Sequence, residues 1–268
     1  MASMGLVLVL VERYQVTMLN MISHGTATDL PGLLIAHGLY GSGRNWGVIA
    51  KRLSDTRQVV AVDMRNHGQS DWHPTHSYQN LADDLAEVLT HLDGPFDVMG
   101  HSMGGKASMV LALQRPELVN RLIVADIAPV TYTHTQLPYI KAMNAVDLSG
   151  IEKRSDAASQ LEELVDDPQL VTFFLQSLDV KNRRWVLNLD TLEQEMPKIM
   201  SFPQMDASFD GRALFLSGAL SEYVTSDHRP EIKRLFPKAQ FAKIPGAEHW
   251  LHAQKPREFE AAVRAWLT

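Results

Sequence analysis

The sequence of 268 residues predicts an α/β fold, in which a mostly parallel central sheet is flanked by helices and interrupted by an all-helical insertion. Three observations predict this architecture. Short apolar runs alternate with segments of helical period, which is typical of a parallel sheet covered by helices. One apolar run enters a Gly-x-Ser-x-Gly turn that leads directly into a helical segment. Between residues 129 and 209 the apolar runs stop, and charged segments of helical period replace them.

Six short apolar runs are the expected buried strands, at residues 32–37, 59–63, 96–100, 122–126, 213–217 and 240–244. Three further segments are expected helices: residues 78–92 with one apolar face, the more apolar residues 106–117, and residues 256–267, which begin with proline. The chain is therefore expected to form a core of residues 1–128 and 210–268 with a helical lid of residues 129–209.

Residues 1–17 include the apolar run 5–11, which is too short to span a bilayer. The run lacks the positive n-region and the small-residue cleavage pattern of a secretory signal. We expect these residues to be an extension or an edge strand, and we expect no integral membrane segment.

The composition favours a small-molecule partner. The formal net charge is −6 and no long basic run follows the chain, so nucleic acid is not an expected partner. The absence of cysteine rules out disulfides, thiolate metal sites and a cysteine nucleophile, and it suits a cytoplasmic location. The glycines near Gly41 lack the spacing of a phosphate-binding loop, and no acidic or histidine cluster has metal-ligand spacing. We therefore expect no phosphate-binding loop and no metal, while the sequence indicates no oligomeric state.

Ser102 is the expected nucleophile, because Gly100-x-Ser102-x-Gly104 lies between a strand and a helix. A direct turn from strand to helix forces the central residue into a strained backbone conformation, and glycine neighbours let the two arms approach. The turn lifts the serine hydroxyl above the sheet, at a helix N-terminus whose dipole favours negative charge.

A second loop, "LLIAHGLYGSGRNW" at residues 33–46, is expected to supply backbone donors beside the serine. The N–H groups of Leu39 and Met103 would together form an oxyanion hole for a tetrahedral intermediate. The side chain of His37 is expected only to shape the turn.

His249 is the expected general base, since it follows the last strand and keeps the order of nucleophile first and histidine last. His252 is its near rival. Most other histidines, among them His73, His76 and His91, are expected at the surface.

These motifs resemble those of the α/β-hydrolase superfamily from about residue 18 to the end of the chain. "HGLYGSGRNW", "DMRNHGQSD" and "GHSMGGKASM" narrow the resemblance to the esterase group of the YbfF and ABHD11 type. The resemblance implies a carboxylesterase or thioesterase without cofactor, with a helical lid after the sixth strand of the fold. It also implies an acid at the end of that strand and a serine that supports the histidine from a G-x-x-S turn.

The acid that orients His249 is the open question, because the turn 218–221, where the superfamily usually has aspartate, ends in Ser221. Glu222 is expected to point away, and Asp227 is better explained as a helix N-terminal residue. Asp126 ends the strand that follows the Ser102 helix. In a right-handed crossover this strand lies beside the nucleophile strand, with both carboxyl ends at one edge. We therefore expect Ser102, Asp126 and His249 to be catalytic and Ser221 to support them.

The predicted reaction is cleavage of a carboxylic ester with a short-to-medium acyl chain, or of a thioester, through an acyl-enzyme. Phe173, Phe174, Met143 and Trp185 are candidates to line an acyl channel or, alternatively, to form the core of the lid. Asp63, Arg65 and His67 are expected to be structural.

Two alternatives remain at the level of sequence. One is a C–C bond hydrolase or lyase of the menaquinone-pathway type, which would need cations such as Arg183 and Arg184 for a dicarboxylate. The other is a catalytically silent binder of a small ligand on the same fold.

Overall fold

The computed structural model describes residues 18–268, so the expected extension or edge strand at residues 1–17 lies outside it. In the described range, the strands are numbered β1 to β9 in chain order. They are Met21–His24, Leu33–Ala36, Val59–Val62, Phe96–His101, Val119–Ala125, Leu178–Asp179, Arg184–Trp185, Arg212–Gly218 and Ala239–Ile244.

The central sheet has the strand order β1-β3-β2-β4-β5-β8-β9. Strand β1 runs antiparallel to β3, and the other neighbours in this sheet are parallel. Each of the six predicted strands is present, and the predicted α/β class with a mostly parallel sheet is confirmed. Asp63 and Asp126 lie one residue beyond β3 and β5, at the carboxyl edge of the sheet.

The helices of the same range are numbered α1 to α11. They are Gly47–Leu53, Tyr78–His91, Met103–Gln114, Leu137–Ala145, Arg154–Leu161, Pro168–Leu175, Leu189–Gln194, Met196–Met200, Arg229–Leu235, Leu251–Gln254 and Pro256–Leu267. The expected helices at 78–92 and 256–267 match α2 and α11. The helix expected at 106–117 begins earlier, at Met103, and ends at Gln114, because proline at 116 disfavours helical backbone in the residue before it.

The sheet is buried on both faces, as continuous apolar strands require. In β2, Leu34 and Ala36 join the apolar core with α2, α3 and α9, whereas Leu33 and Ile35 join the core with α1 and α11. This alternation follows from the period of two in a strand. None of the helices in residues 18–268 combines the length and apolar character needed to cross a bilayer.

The amino-terminal edge of the sheet holds a buried ionic cluster. The Asp97 carboxylate, fully buried at the start of β4, accepts hydrogen bonds from Arg57 at 2.8 Å and from Arg121 at 2.9 Å. Both guanidinium groups also donate to main-chain carbonyls of the last two residues of α11. The cluster therefore fixes the end of the terminal helix to the sheet.

The insertion, residues 129–209, contains α4 to α8 around an apolar core of its own. The expectation that it is entirely helical is wrong in one detail, because β6 and β7 form an antiparallel hairpin. The chain reverses at Arg183, whose φ of 52° is left-handed. Two-residue strands show no alternation of polar and apolar residues, so the sequence pattern could not reveal them.

The insertion is tied to the core at both of its ends. The buried Lys106 ammonium on α3 donates to the carbonyl of Val130 at 2.8 Å and to those of Met200 and Ser201 at 3.1 and 2.6 Å. Further along, the Gly68 N–H donates to the Val186 carbonyl at 2.8 Å. The insertion is thus docked onto α3 and onto the loop after β3.

Candidate active site

The carboxyl edge of the sheet brings the candidate residues together. Strands β4, β5, β8 and β9 are parallel neighbours, so their carboxyl ends lie at one edge. Ser102 directly follows β4, Asp126 directly follows β5, and His249 lies in the loop between β9 and α10. This is the crevice where open α/β sheets commonly bind ligands.

Ser102 occupies a strained turn between β4 and α3, with φ of 51° and ψ of −118°. A non-glycine residue with positive φ is uncommon, and such strain persists where the surroundings enforce it. A Cβ on Gly100 would lie 2.2 Å from the Gly104 carbonyl oxygen, and one on Gly104 would lie 2.4 Å from that of Ala36. Both positions therefore require glycine for the strand and helix to approach.

The three candidate side chains form one chain of hydrogen bonds. His249 Nε2 lies 3.1 Å from Ser102 Oγ, and His249 Nδ1 lies 2.8 Å from Asp126 Oδ2. A carboxylate only accepts, so Nδ1 carries the proton and Nε2 faces the serine hydroxyl as an acceptor. Asp126 is fully buried, whereas the imidazole is partly exposed. The arrangement suits proton removal from Ser102 by His249.

Two further donors hold the Asp126 carboxylate. The Gly218 N–H donates to Oδ1 at 3.0 Å, and the Ser221 hydroxyl donates to Oδ2 at 2.5 Å. Ser221 thus contacts the carboxylate rather than the His249 ring, which differs from the support of the histidine that the resemblance implied. Glu222 and Asp227 are both exposed, and in residues 18–268 neither is bonded to His249.

The two expected oxyanion donors directly follow Ser102 and Gly38, and a Cβ on Gly38 would lie 3.3 Å from Ser102 Cβ. Leu39 is in the loop after β2, and Met103 is the first residue of α3. Within the described chain, neither of the two N–H groups donates to a protein acceptor. Because helix N-termini present free N–H groups and a positive dipole, the site can stabilise a developing oxyanion.

Sequence reasoning missed two neighbours of His249. The Tyr223 ring stacks on the imidazole, with ring centroids 3.9 Å apart and planes inclined by 22°. Burial and the nearby Asp126 carboxylate raise the pKa of Tyr223 to about 12. His101 Nε2 donates to the His249 carbonyl at 2.9 Å. Tyr223 stands two residues after Ser221, but nothing in the sequence indicated that its ring would stack on His249.

Among the other histidines, His37, His67, His76 and His101 are buried. His252, the near rival, stacks on Trp46 at 4.2 Å, and burial lowers its pKa to about 3. The expectation of a surface position for His76 is wrong: its ring is 1% exposed and reaches Met103 Sδ, and burial lowers its pKa to about 3. No sequence pattern predicts this burial, because His76 lies in a polar loop that the insertion covers.

A cavity of about 290 Å³ opens beside Ser102 and is lined by both the core and the insertion. Of the four candidates for an acyl channel, Phe173 and Phe174 line it. Met143 and Trp185 instead belong to the core of the insertion, where the Trp185 Nε1–H donates to the Met143 carbonyl. The Phe173 ring meets Trp250, the residue after His249, edge to face at 4.1 Å. A residue of the insertion therefore lies against the histidine loop.

The charges around the cavity disfavour anionic ligands. Asp167 and Glu248 are among its lining residues, and Lys106 is the sole lysine or arginine that lines it within residues 18–268. The Lys106 ammonium is already engaged by three carbonyls. Arg183 and Arg184 lie exposed on the hairpin and do not line the cavity. In the same range, no three histidine, aspartate or glutamate side chains are grouped to hold a metal ion.

Comparison with known proteins agrees with the fold. Residues 31–256 match a family model described as the alpha/beta hydrolase fold. The chain therefore belongs to the α/β-hydrolase family, in the group of the YbfF and ABHD11 type.

Individual relatives cover most of the chain. It is 43% identical to mouse sn-1-specific diacylglycerol lipase ABHD11 over 254 residues, which cover 91% of this chain and 82% of the relative. It is 35% identical to esterase YbfF of Escherichia coli strain K12, over 88% of this chain and 92% of the relative. A solved marine microorganism esterase superposes with a TM-score of 0.88 at 38% identity, covering 93% of this chain and 99% of that one.

Proposed function

We propose that the protein is a serine hydrolase that cleaves carboxylic esters through a covalent acyl-enzyme. The observation that carries this proposal is the continuous hydrogen-bonded chain from Ser102 through His249 to Asp126, with the free N–H groups of Leu39 and Met103 beside it. The names of the relatives, which include an esterase and a diacylglycerol lipase, support the same reaction class.

In the first half-reaction, Ser102 Oγ attacks the ester carbonyl carbon while His249 Nε2 takes the hydroxyl proton. The carbonyl oxygen becomes an oxyanion and accepts hydrogen bonds from Leu39 and Met103. Asp126 stabilises the imidazolium that forms and keeps its ring orientation. The carbon–oxygen bond to the alcohol then breaks, and His249 returns the proton to the departing alkoxide.

In the second half-reaction, water attacks the acyl-serine carbonyl and gives its proton to His249. The bond to Ser102 Oγ breaks, the serine regains its proton from His249, and the carboxylic acid leaves. Each group thus acts twice, and no cofactor is required for either step.

The cavity favours an uncharged ester with a short-to-medium acyl chain. Its volume of about 290 Å³ lies near the lower end of ligand pockets. Its aromatic wall can hold an alkyl chain, and diacylglycerol, named for the mouse relative, is itself an uncharged ester.

Acyl-CoA thioesters and dicarboxylates fit less well, because residues 18–268 place no lysine or arginine in the cavity wall apart from Lys106, which three carbonyls already engage. The insertion would act as a lid over the acyl chain, since Phe173 and Phe174 reach the cavity from α6.

The proposal is tested with a panel of p-nitrophenyl esters from acetate to palmitate. The same assays include an acyl-CoA and a dicarboxylate substrate of a C–C hydrolase. We expect hydrolysis of the shorter uncharged esters, little turnover of the anionic substrates, and loss of all activity in Ser102→Ala. Turnover that persists in Ser102→Ala would contradict the proposed nucleophile.

Labelling with a fluorophosphonate probe separates an enzyme from a silent binder. Ser102 of the folded protein should be modified, and Ser102→Ala should not react.

A cytoplasmic location is proposed from the lack of cysteine, and fractionation of the source cells tests it.

A further inference from the structure

The loop that carries Leu39 contains an unusual residue. The Gly41 N–H donates to the Gly38 carbonyl at 3.0 Å, which closes a turn over residues 38–41. Tyr40 is the third residue of this turn and has φ of 64°. Positive φ at the third position is the pattern of a type II turn, where glycine or asparagine is usual. A buried tyrosine in this conformation must be held by its surroundings.

His67 holds the turn from the side of the core. The Tyr40 N–H donates to His67 Nε2 at 3.2 Å, while His67 Nδ1 lies 2.9 Å from the Arg65 carbonyl. Since that carbonyl only accepts, the proton is on Nδ1 and Nε2 is free to accept. His67 is completely buried, and burial together with His37 and His76 lowers its pKa well below the usual value. The ring therefore stays neutral and keeps its acceptor.

The insertion holds the same turn through three contacts. The Ser177 hydroxyl donates to the Tyr40 carbonyl at 2.9 Å, and the Tyr40 hydroxyl donates to the Gln136 carbonyl at 2.9 Å. The Tyr40 ring meets Phe174 edge to face at 5.5 Å. Each polar group of Tyr40 is thus used, and most of its partners belong to residues 129–209.

We propose that Tyr40 is a positioning residue through which the insertion sets the oxyanion hole. By fixing the left-handed conformation of Tyr40, the insertion and His67 orient the preceding Leu39 N–H toward the place where the oxyanion forms. The insertion then contributes to transition-state stabilisation as well as to substrate binding. This inference rests on the proposed function.

The test uses two small changes, Ser177→Ala and Tyr40→Phe, each of which removes one hydrogen bond between the turn and the insertion. Complete loss of an oxyanion donor lowers rates by about 10²–10³, so a misdirected donor should lower kcat by about 10-fold. Because the oxyanion exists only after attack, KM should change by less than about 2-fold. Affinity for a trifluoromethyl ketone, which forms a tetrahedral adduct with the serine, should fall in parallel with kcat/KM.

Ser159→Ala is the matched control, since the Ser159 hydroxyl also donates to a main-chain carbonyl of the insertion, at 3.2 Å, but lies exposed on α5. Its kinetic constants should equal those of the unmodified protein. A role confined to packing predicts a different result: a lower melting temperature with kcat unchanged, or a higher KM at unchanged kcat. Either result in both variants would overturn the proposal.

A pair of substitutions at His67 gives an independent test. Glutamine places an acceptor near the position of Nε2, whereas leucine does not. We expect His67→Gln to retain more of kcat than His67→Leu among the folded variants, and equal loss in both would contradict the role. If the unmodified protein hydrolyses esters but these variants keep kcat, the inference fails alone. If the unmodified protein neither hydrolyses esters nor reacts with a fluorophosphonate, the proposed function fails as well.

Discussion

The hydroxyl of Ser221 donates a 2.5 Å hydrogen bond to Asp126 Oδ2, the same oxygen that lies 2.8 Å from His249 Nδ1. A neutral serine thus occupies the turn after β8, while the negative charge comes from the end of β5. Strands β5 and β8 are parallel neighbours, so both positions lie at the edge that His249 overhangs. The neighbouring strand therefore supplies the carboxylate that this turn lacks.

Asp126→Asn is expected to lower kcat by about 10³–10⁴, because an amide cannot stabilise the imidazolium and can favour the wrong imidazole tautomer. Glu222→Gln and Asp227→Asn are matched controls, since both carboxylates are exposed near the same loop. Steady-state kinetics with a p-nitrophenyl ester and circular dichroism measure activity and folding. The assignment fails if Asp126→Asn keeps near-full activity while one of the controls is inactive.

Ser221→Ala is expected to lower kcat only by about 2- to 10-fold, the effect of losing one neutral hydrogen bond. The Gly218 N–H and His249 still hold the carboxylate in place. Ser226→Ala is the control, because the Ser226 hydroxyl also donates to a carboxylate, that of Asp227, but both side chains are exposed and neither is hydrogen-bonded to His249 within residues 18–268. A loss as large as that of Asp126→Asn would mean that the hydroxyl has a larger role than orientation.

Asp97→Asn is expected to lower the free energy of unfolding by about 3–5 kcal/mol, since it leaves two buried guanidinium groups without their anion. Urea denaturation followed by tryptophan fluorescence measures this change. Glu117→Gln, which removes the exposed partner of Arg115, should leave the midpoint unaltered. Equal midpoints for both variants would show that the Asp97 cluster adds nothing to stability.

Histidines whose pKa is lowered by burial make the stability of the folded protein sensitive to acid. Burial lowers the pKa of His252 to about 3, so between pH 6.5 and 3 the unfolded chain binds a proton that the folded ring does not. Stability therefore falls as the pH drops below 6.5, by about 1.4 kcal/mol per pH unit for each such histidine.

His252→Phe keeps an aromatic ring against Trp46 and removes the titration. Between pH 6 and 4, the slope of the unfolding free energy against pH should therefore decrease. The decrease should correspond to roughly one fewer proton taken up on unfolding. His91→Phe, at an exposed position of α2, should keep the full slope. Identical slopes for the His252 variant and the unmodified protein would refute the assignment.

The sequence by itself determined the fold class and the positions of the candidate chemistry. The buried strands are continuous apolar runs, and burial on both faces requires such runs. Gly100 and Gly104 mark the turn at Ser102, because a Cβ at either position would collide with backbone. Asp126 could be chosen over Glu222 and Asp227 because parallel strands bring their carboxyl ends to one edge.

What only the tertiary structure decided involves contacts between distant parts of the chain. Three such features join segments that lie 24 to 119 residues apart. They are the stacking of Tyr223 on His249, the three carbonyls around Lys106 and the burial of His76. Local patterns report which face of a strand or helix is apolar, but they do not report which loop covers it. The contacts of Tyr40 with the insertion escaped the sequence for this reason, because they depend on how residues 129–209 dock onto the core.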